Sequence, residues 1–325
     1  MDHLPSLTTS QWAALSPVIS YILGTVFFTV LETFNIWSQY RLFPRHEEIK
    51  RNKVSRSAVI THAILYHSVT TTLALVFVKL VPPLEECRDC FGSYMHWHAF
   101  VSDLLGITNQ ESVQLTILSW LTRLTYLGVR QFTAFFIFDT WLYWTHLFAH
   151  RNRWWFKHFH AKHHELYNAF SFGSAYNHPV ESFCFDIVAS QLASGIPRLT
   201  NVEQAVFLSL ATVRSCENHC AYKLPWSPFI LIGGLLGYTP EWHNIHHASF
   251  GFQCNFATYF PWWDMWMGTA YTGPRKVYEP KPAVVENTIK TDMLRAASMK
   301  DSSASGLVLD NESSELRSRQ KGMML

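Results

Sequence analysis

Three short runs of histidine limit what this chain can become. The first pairs His146 with His150, the second holds His160, His163 and His164, and the third holds His243, His246 and His247. Residues three or four apart on a helix lie on one face, about one turn apart. Each run therefore predicts a helical face with stacked imidazoles. Eight such rings are too many for one tetrahedral zinc. Neutral imidazole suits iron, zinc, copper and nickel, and the count fits two metal ions with open positions. A single pair at this spacing would mean little. Here eleven of the chain's seventeen histidines fall between positions 146 and 247. No cysteine stands at ligand spacing beside the runs, which argues against a closed structural zinc site.

The rest of the chain reads as membrane protein. Charged residues make up 15% of the sequence, against about 25% in soluble domains. Thirteen tryptophans suit a membrane interface. A net charge of +2 gives no footprint for nucleic acid. Apolar runs cover Pro17 to Trp37, Ala58 to Val81 and Val113 to Trp144. The first carries Glu32 and is expected to tilt or end early. The third carries Arg123 and Arg130, and intramembrane charge is costly, so its spanning part is expected at Gln131 to Trp144. Ser182 to Ile196 and Val202 to Arg214 are shorter, broken at Gly195-Ile196-Pro197-Arg198, and read as a hairpin or two further spans. Arg41, Arg45, Lys50, Arg51, Lys53 and Arg56 place the loop before the second run on the cytosolic side. The acidic stretch from Leu84 to Glu111 belongs on the opposite, lumenal side, where Cys87 and Cys90 could form a local disulfide. The histidine runs then fall on the side of the basic loop.

The expected fold is all-α: polytopic membrane helices, about four spans or hairpins, with a cytosolic helical cap carrying the histidine-rich site. Residues 1–130 form an N-terminal membrane region, 131–272 the histidine-bearing domain and 273–325 a polar tail, disordered from about 285. The first sixteen residues lack a basic start and do not read as a cleaved signal. Residues 225–240 read as an interfacial loop. His62 and His67, five apart, do not stack on a helix and read as packing. His96 and His98 lie on the lumenal side, and His158 at the edge of the second run reads as surface or packing.

The three boxes resemble those of the fatty acid hydroxylase / sterol desaturase superfamily of membrane di-iron enzymes. Flanking words narrow the resemblance to sphinganine C4-hydroxylases. These are Tyr40-Arg41-Leu42, Arg51 to Arg56, Asp139-Thr140-Trp141, Tyr176 to Glu181, His219 to Trp226, Phe250-Gly251, Asn255-Phe256 and Trp263-Asp264. The likeness covers about residues 30–270. The chain departs from the family pattern at Asn218, at Asn244 and at Arg151, where Asp, Asp and His are common.

The resemblance implies two irons held by His146, His150, His160, His163, His164, His243, His246 and His247. It marks His178 and His219 as candidates for a ninth and tenth ligand. Asp139, Glu165, Asn177 and Glu181 are placed to accept hydrogen bonds from the liganding rings. O2 is the implied co-substrate, with electrons from NAD(P)H through a reductase and a separate cytochrome b5. The implied reaction is hydroxylation of a long-chain lipid, sphinganine at C4, at the endoplasmic reticulum membrane. An unactivated methylene offers neither an acidic proton nor a leaving group, so side-chain acid or base chemistry cannot attack it. Phe135, Phe138, Trp141 and Phe170 are candidates to wall a slot for the alkyl chain. The rival readings are a sterol C4-methyl oxidase, side-chain hydroxylase or desaturase, and, in another class, a histidine-rich metal transporter.

Overall fold

The computed structural model describes residues 7–43, 50–80, 88–104, 106, 113–231 and 237–273. Arg45, Cys87 and the polar tail lie outside them, as do residues 232–236 of the loop expected at 225–240. The described residues are helical, with one isolated antiparallel bridge between Arg41 and Tyr222. Among the described residues two helices are long and apolar enough to cross a membrane, α1 (Thr9–Thr33) and α2 (Arg56–Leu80). At 25 residues each, both exceed the ~20 residues that a bilayer core requires.

Helix α1 starts eight residues before the expected boundary at Pro17. Thr8 and Gln11 form a reciprocal capping box. Pro17 lacks the N–H that would bond to the Ala13 carbonyl, and the Ser16 hydroxyl donates to that carbonyl at 3.0 Å instead. Glu32 sits in the last turn of α1 and is not stranded in lipid. It accepts from Arg41 at 3.2 Å and from Arg56 at 2.5 Å, which ties α1 to the start of α2.

Helix α3 (Arg88–Leu104) packs on the N-terminal part of α4 (Val113–Arg151). Helix α4 is 39 residues of unbroken helix, about 58 Å long, and it runs through residue 131 without interruption. Its middle packs on α7 (Val188–Gly195) and α8 (Asn201–His219). Ala134, Phe138 and Leu142 meet Ala189, Ala193, Phe207 and Ala211. Small residues let the helices approach closely. α1 lies along α8, with Phe28 and Leu31 against Cys220, Tyr222 and Leu224. A Cβ on Gly24 would come within 3.3 Å of the Cys216 Cβ.

Arg130, which sequence made an obstacle to burial, is paired. Its guanidinium takes both carboxylate oxygens of Glu203 on α8, at 2.7 and 2.8 Å, and donates to the Arg198 carbonyl. Glu203 also completes a capping box with Thr200 at the start of α8. Removing one partner of a buried pair strands the other charge, at a cost of about 3 kcal/mol or more. Glu203→Leu is therefore expected to lower the thermal midpoint of the detergent-purified protein clearly. The double change Arg130→Met with Glu203→Leu should recover most of that loss in the same melt.

Candidate metal centre

The three boxes and His219 are delivered by four separate elements. His146 and His150 stand one turn apart at the C-terminal end of α4. A short helix α5 (Arg153–His158) follows, capped by the Asn152 side chain at 2.9 Å from the Trp155 N–H. The second box is a 3-10 helix, His160–Glu165, where the sequence reading expected α-helical stacking. The third box forms α9 (Pro240–His247), with Pro240 at its first turn. His219 is the last residue of α8.

These elements sort nine histidines into two groups. The first is His146, His150, His160, His164 and His246; the second is His163, His219, His243 and His247. Within each group the candidate ligand nitrogens all lie within 4.8 Å of one another. The second and third boxes divide reciprocally. His160 and His164 enter the first group and His163 the second; His243 and His247 enter the second and His246 the first. Successive side chains diverge by about 100–120° on such helices, so adjacent histidines cannot reach one ion.

The far side of most rings is tied down. Nδ1–H of His146, His219, His246 and His247 donates to the carbonyls of Phe256, Ser215, Cys254 and Leu166, at 2.7 to 2.8 Å. His163 makes a longer bond to the Tyr176 carbonyl, 3.4 Å, and the Asn177 side chain also bonds to this ring. His160 Nδ1 meets Glu181 Oε1 at 2.5 Å. A carbonyl can only accept, so these bonds fix the tautomer and leave a lone pair on Nε2 facing inward.

Those Nε2 atoms converge without other partners. His150, His160 and His164 place theirs 2.8 to 3.0 Å apart. His243 lies 3.0 Å from His219 and 3.1 Å from His247 by the same atoms. Nε2 of His146 and of His246 is buried with no hydrogen-bond partner. Inward lone pairs this close repel unless a cation lies among them. Their spacing also matches neighbouring ligands on a metal with bonds of about 2.1 Å. The residues present therefore fit two metal ions.

Burial keeps the rings neutral. It lowers His160 to about 3 and His163 to about 4, and drives His164, His243, His246 and His247 well below the ordinary imidazole value, with neighbouring histidines adding to the effect in those four. Burial also raises the Glu181 carboxyl to about 7. The His160 Nδ1–H donates to Glu181 across their 2.5 Å bond, which fixes the same tautomer as the carbonyl anchors do and keeps the lone pair on Nε2. Of the nine rings only His164 is not buried, so the first group opens on that side, beside Phe156 and Phe252.

Several expected residues sit elsewhere. His178 is outside both groups: its Nδ1 accepts from the Val180 N–H at 3.2 Å, capping α6 (Pro179–Ser182), and its ring lies on Phe159. Glu165 accepts from the Tyr176 hydroxyl at 2.7 Å and touches no box ring. Asp139 acts one step back, accepting from the backbone of Thr258, Tyr259 and Phe260. Asp264, on α10 (Trp262–Trp266), holds the N–H groups of Phe256 and Ala257, each at 2.9 Å. Together the two carboxylates fix the loop whose Phe256 carbonyl aims His146. The sequence reading missed Asp264, although it belongs to a quoted family word, and missed every carbonyl anchor, because a carbonyl has no residue signature. His62 packs on the site's periphery, its Nε2 donating to the Asn177 carbonyl at 2.9 Å. His67 stacks on Tyr21, and His158 bonds to the Trp154 carbonyl.

An apolar groove of about 560 Å³ runs along α4 and α7, lined by Phe136, Ile137, Thr140, Trp141, Trp144, Thr145, Phe148, Leu192 and Ile196. Trp141 lines it as expected of a slot wall. Phe135 and Phe138 pack instead against Phe207, and Phe170 belongs to a separate core with Val59 and Leu166.

Comparison with known proteins places the chain among lipid hydroxylases. The family model described as Fatty acid hydroxylase matches residues 131–269. The sphingolipid C4-hydroxylase SUR2 of Saccharomyces cerevisiae is 32% identical over 271 residues, covering 83% of this chain and 74% of that protein. The sphingolipid C4-hydroxylase sur2 of Schizosaccharomyces pombe is 30% identical, covering 82% and 90%. Sphinganine C4-monooxygenase 2 of Arabidopsis thaliana is 29% identical, covering 71% and 77%. No solved structure matches.

Two substitutions probe the geometry. A Cβ on Gly251 would collide with the Ile245 carbonyl oxygen, inside the third box, so Gly251→Ala should strip bound metal from the purified protein. His219→Ala should lower metal content per chain by elemental analysis, while His178→Ala should leave it at the wild-type level.

Proposed function

The chain belongs to the fatty acid hydroxylase family, and on that premise we propose that it is a membrane di-iron monooxygenase that hydroxylates sphinganine at C4 to give a phytosphingosine-type product. The carrying observation is the convergence of nine neutral imidazoles into two groups, six of them anchored through Nδ1. The substrate rests on the relatives matched over most of the chain, whose names specify sphingolipid C4 hydroxylation or sphinganine C4 monooxygenation. Sterol-directed oxidation is not favoured by them.

The metal ligands are His146, His150, His160, His164 and His246 for one iron and His163, His219, His243 and His247 for the other. When bound, the irons supply the O2 activation that no side chain here can provide. The chain's own part is orientation and exclusion. Backbone carbonyls hold the rings so that no reorganisation is needed when charge develops. Glu181 accepts the Nδ1–H bond of His160, so the lone pair of that ring stays on Nε2. Buried rings exclude water from all sides of the first group except that of His164. The groove along α4 is lined for an alkyl chain, on the same helix that carries His146 and His150.

Four spans or hairpins carry a cytosolic cap in the endoplasmic reticulum membrane. The basic segment and the second box are in contact, since the Lys53 N–H donates to the Glu165 carbonyl at 2.8 Å. That contact supports one shared, cytosolic side. Electrons come from NAD(P)H through a reductase and cytochrome b5. A metal-transport role is disfavoured because the inward nitrogens are closed in by fixed carbonyl anchors.

Microsomes carrying the protein and working electron carriers should convert deuterated sphinganine to the C4-hydroxylated base, read by mass spectrometry. Unchanged substrate would remove the substrate assignment. His163→Ala should abolish turnover while membrane insertion persists; near-wild-type turnover would contradict its role as a ligand.

A further inference from the structure

The segment leading into α2 grips the loop after the second box. Asn52 takes both backbone groups of Asn168: its Nδ2 donates to the carbonyl and its Oδ1 accepts from the N–H, each at 2.9 Å. Next to it, the Lys53 N–H donates to the Glu165 carbonyl at 2.8 Å. Val54 packs on the core of Leu166, Phe170 and Tyr176. Between the two gripped residues lies Leu166, fully buried. Its carbonyl accepts the 2.7 Å bond from His247 Nδ1. Its side chain fills space that Gly173 leaves open, since a Cβ there would come within 2.5 Å of Leu166 Cδ1.

We propose that Asn52 is a positioning residue for the second group of histidines: by fixing the backbone at Asn168 it holds the Leu166 carbonyl that sets the tautomer and aim of His247. This rests on reading the nine histidines as two metal centres. The effect is selective. In the first group, His146, His160 and His246 are anchored by Phe256, Glu181 and Cys254, none of which Asn52 touches. Within the second group, His219 and His247 are the rings with short carbonyl bonds, while the His163 bond to Tyr176 is long at 3.4 Å and His243 Nδ1 is buried without a partner. Loss of a partner that orients a ligand costs about 10–100-fold in metal affinity.

The test uses the full chain purified in detergent as wild type, Asn52→Ala, Asn52→Asp and His247→Ala. Iron per chain is measured by elemental analysis, and ferrous iron is then titrated against a competing chelator. Asn52→Asp is nearly isosteric; it keeps the acceptor for the Asn168 N–H and sets an anionic oxygen against the Asn168 carbonyl. Wild type should bind about two equivalents. Both Asn52 variants should keep one tight equivalent and bind the other about 10–100-fold more weakly, with occupancy restored by excess ferrous iron. His247→Ala should weaken the same equivalent at least as much. A general folding defect would weaken both equivalents together and would not be restored by metal. If Asn52→Ala does not yield monodisperse protein, Asn52→Asp decides. Wild type without iron would end the two-centre reading and the proposal with it. Wild type with two irons, beside an Asn52→Asp protein that holds both as tightly or loses both in parallel, would overturn the role of Asn52 alone.

Discussion

Nine imidazole lone pairs pointed at two small volumes are the constraint on which the rest of the structure turns. A buried nitrogen lone pair without a partner is costly, and several at about 3 Å repel one another. The fold tolerates this because each volume can take a cation. The remaining design holds rings in place: four Nδ1 atoms bond to carbonyls at 2.7 to 2.8 Å, and a fifth bonds to Glu181. Neutral ligands suit this arrangement, since burial already lowers the imidazole basicity.

Backbone carbonyls can aim a ring only if their own loops are rigid. Asp139 and Asp264 supply that rigidity on one side, gripping the chain from Phe256 to Phe260 through main-chain N–H groups. Asn52 and Lys53 supply it on the other, through Asn168 and Glu165. Polar residues far from the ligands in sequence thus act through the backbone. The long helix α4 carries both features, with the apolar groove along its C-terminal half and His146 and His150 on that same stretch.

The charges in the apolar helices follow a related logic. Glu32 lies where two arginines meet it, and Arg130 lies where Glu203 and a carbonyl meet it. The first pairing ties α1 to the start of α2 and the second ties α4 to α8. The obstacle that Arg130 presents to a linear reading disappears once α8 is beside it.

Sequence alone determined the helical class, the count of ligand-type residues and their gathering in three boxes, because spacing of three and four residues is a local property of a helix. It also marked Glu181 as a partner of a box ring. Tertiary structure alone decided which ring joins which group. His163 and His164 are neighbours in the chain and part company in space, while His160 and His246 meet from elements 86 positions apart. The separation of His219 from His178 was decided the same way: both stand in words that resemble the family, but His219 ends a helix aimed at the centre and His178 caps the start of another. The start of α1 before Pro17 depended on a capping box and a serine hydroxyl that hydropathy does not weigh. The carbonyls of Leu166, Cys254 and Phe256 were invisible for a simpler reason. Every residue has a carbonyl, and only the folded chain determines which ones face a histidine.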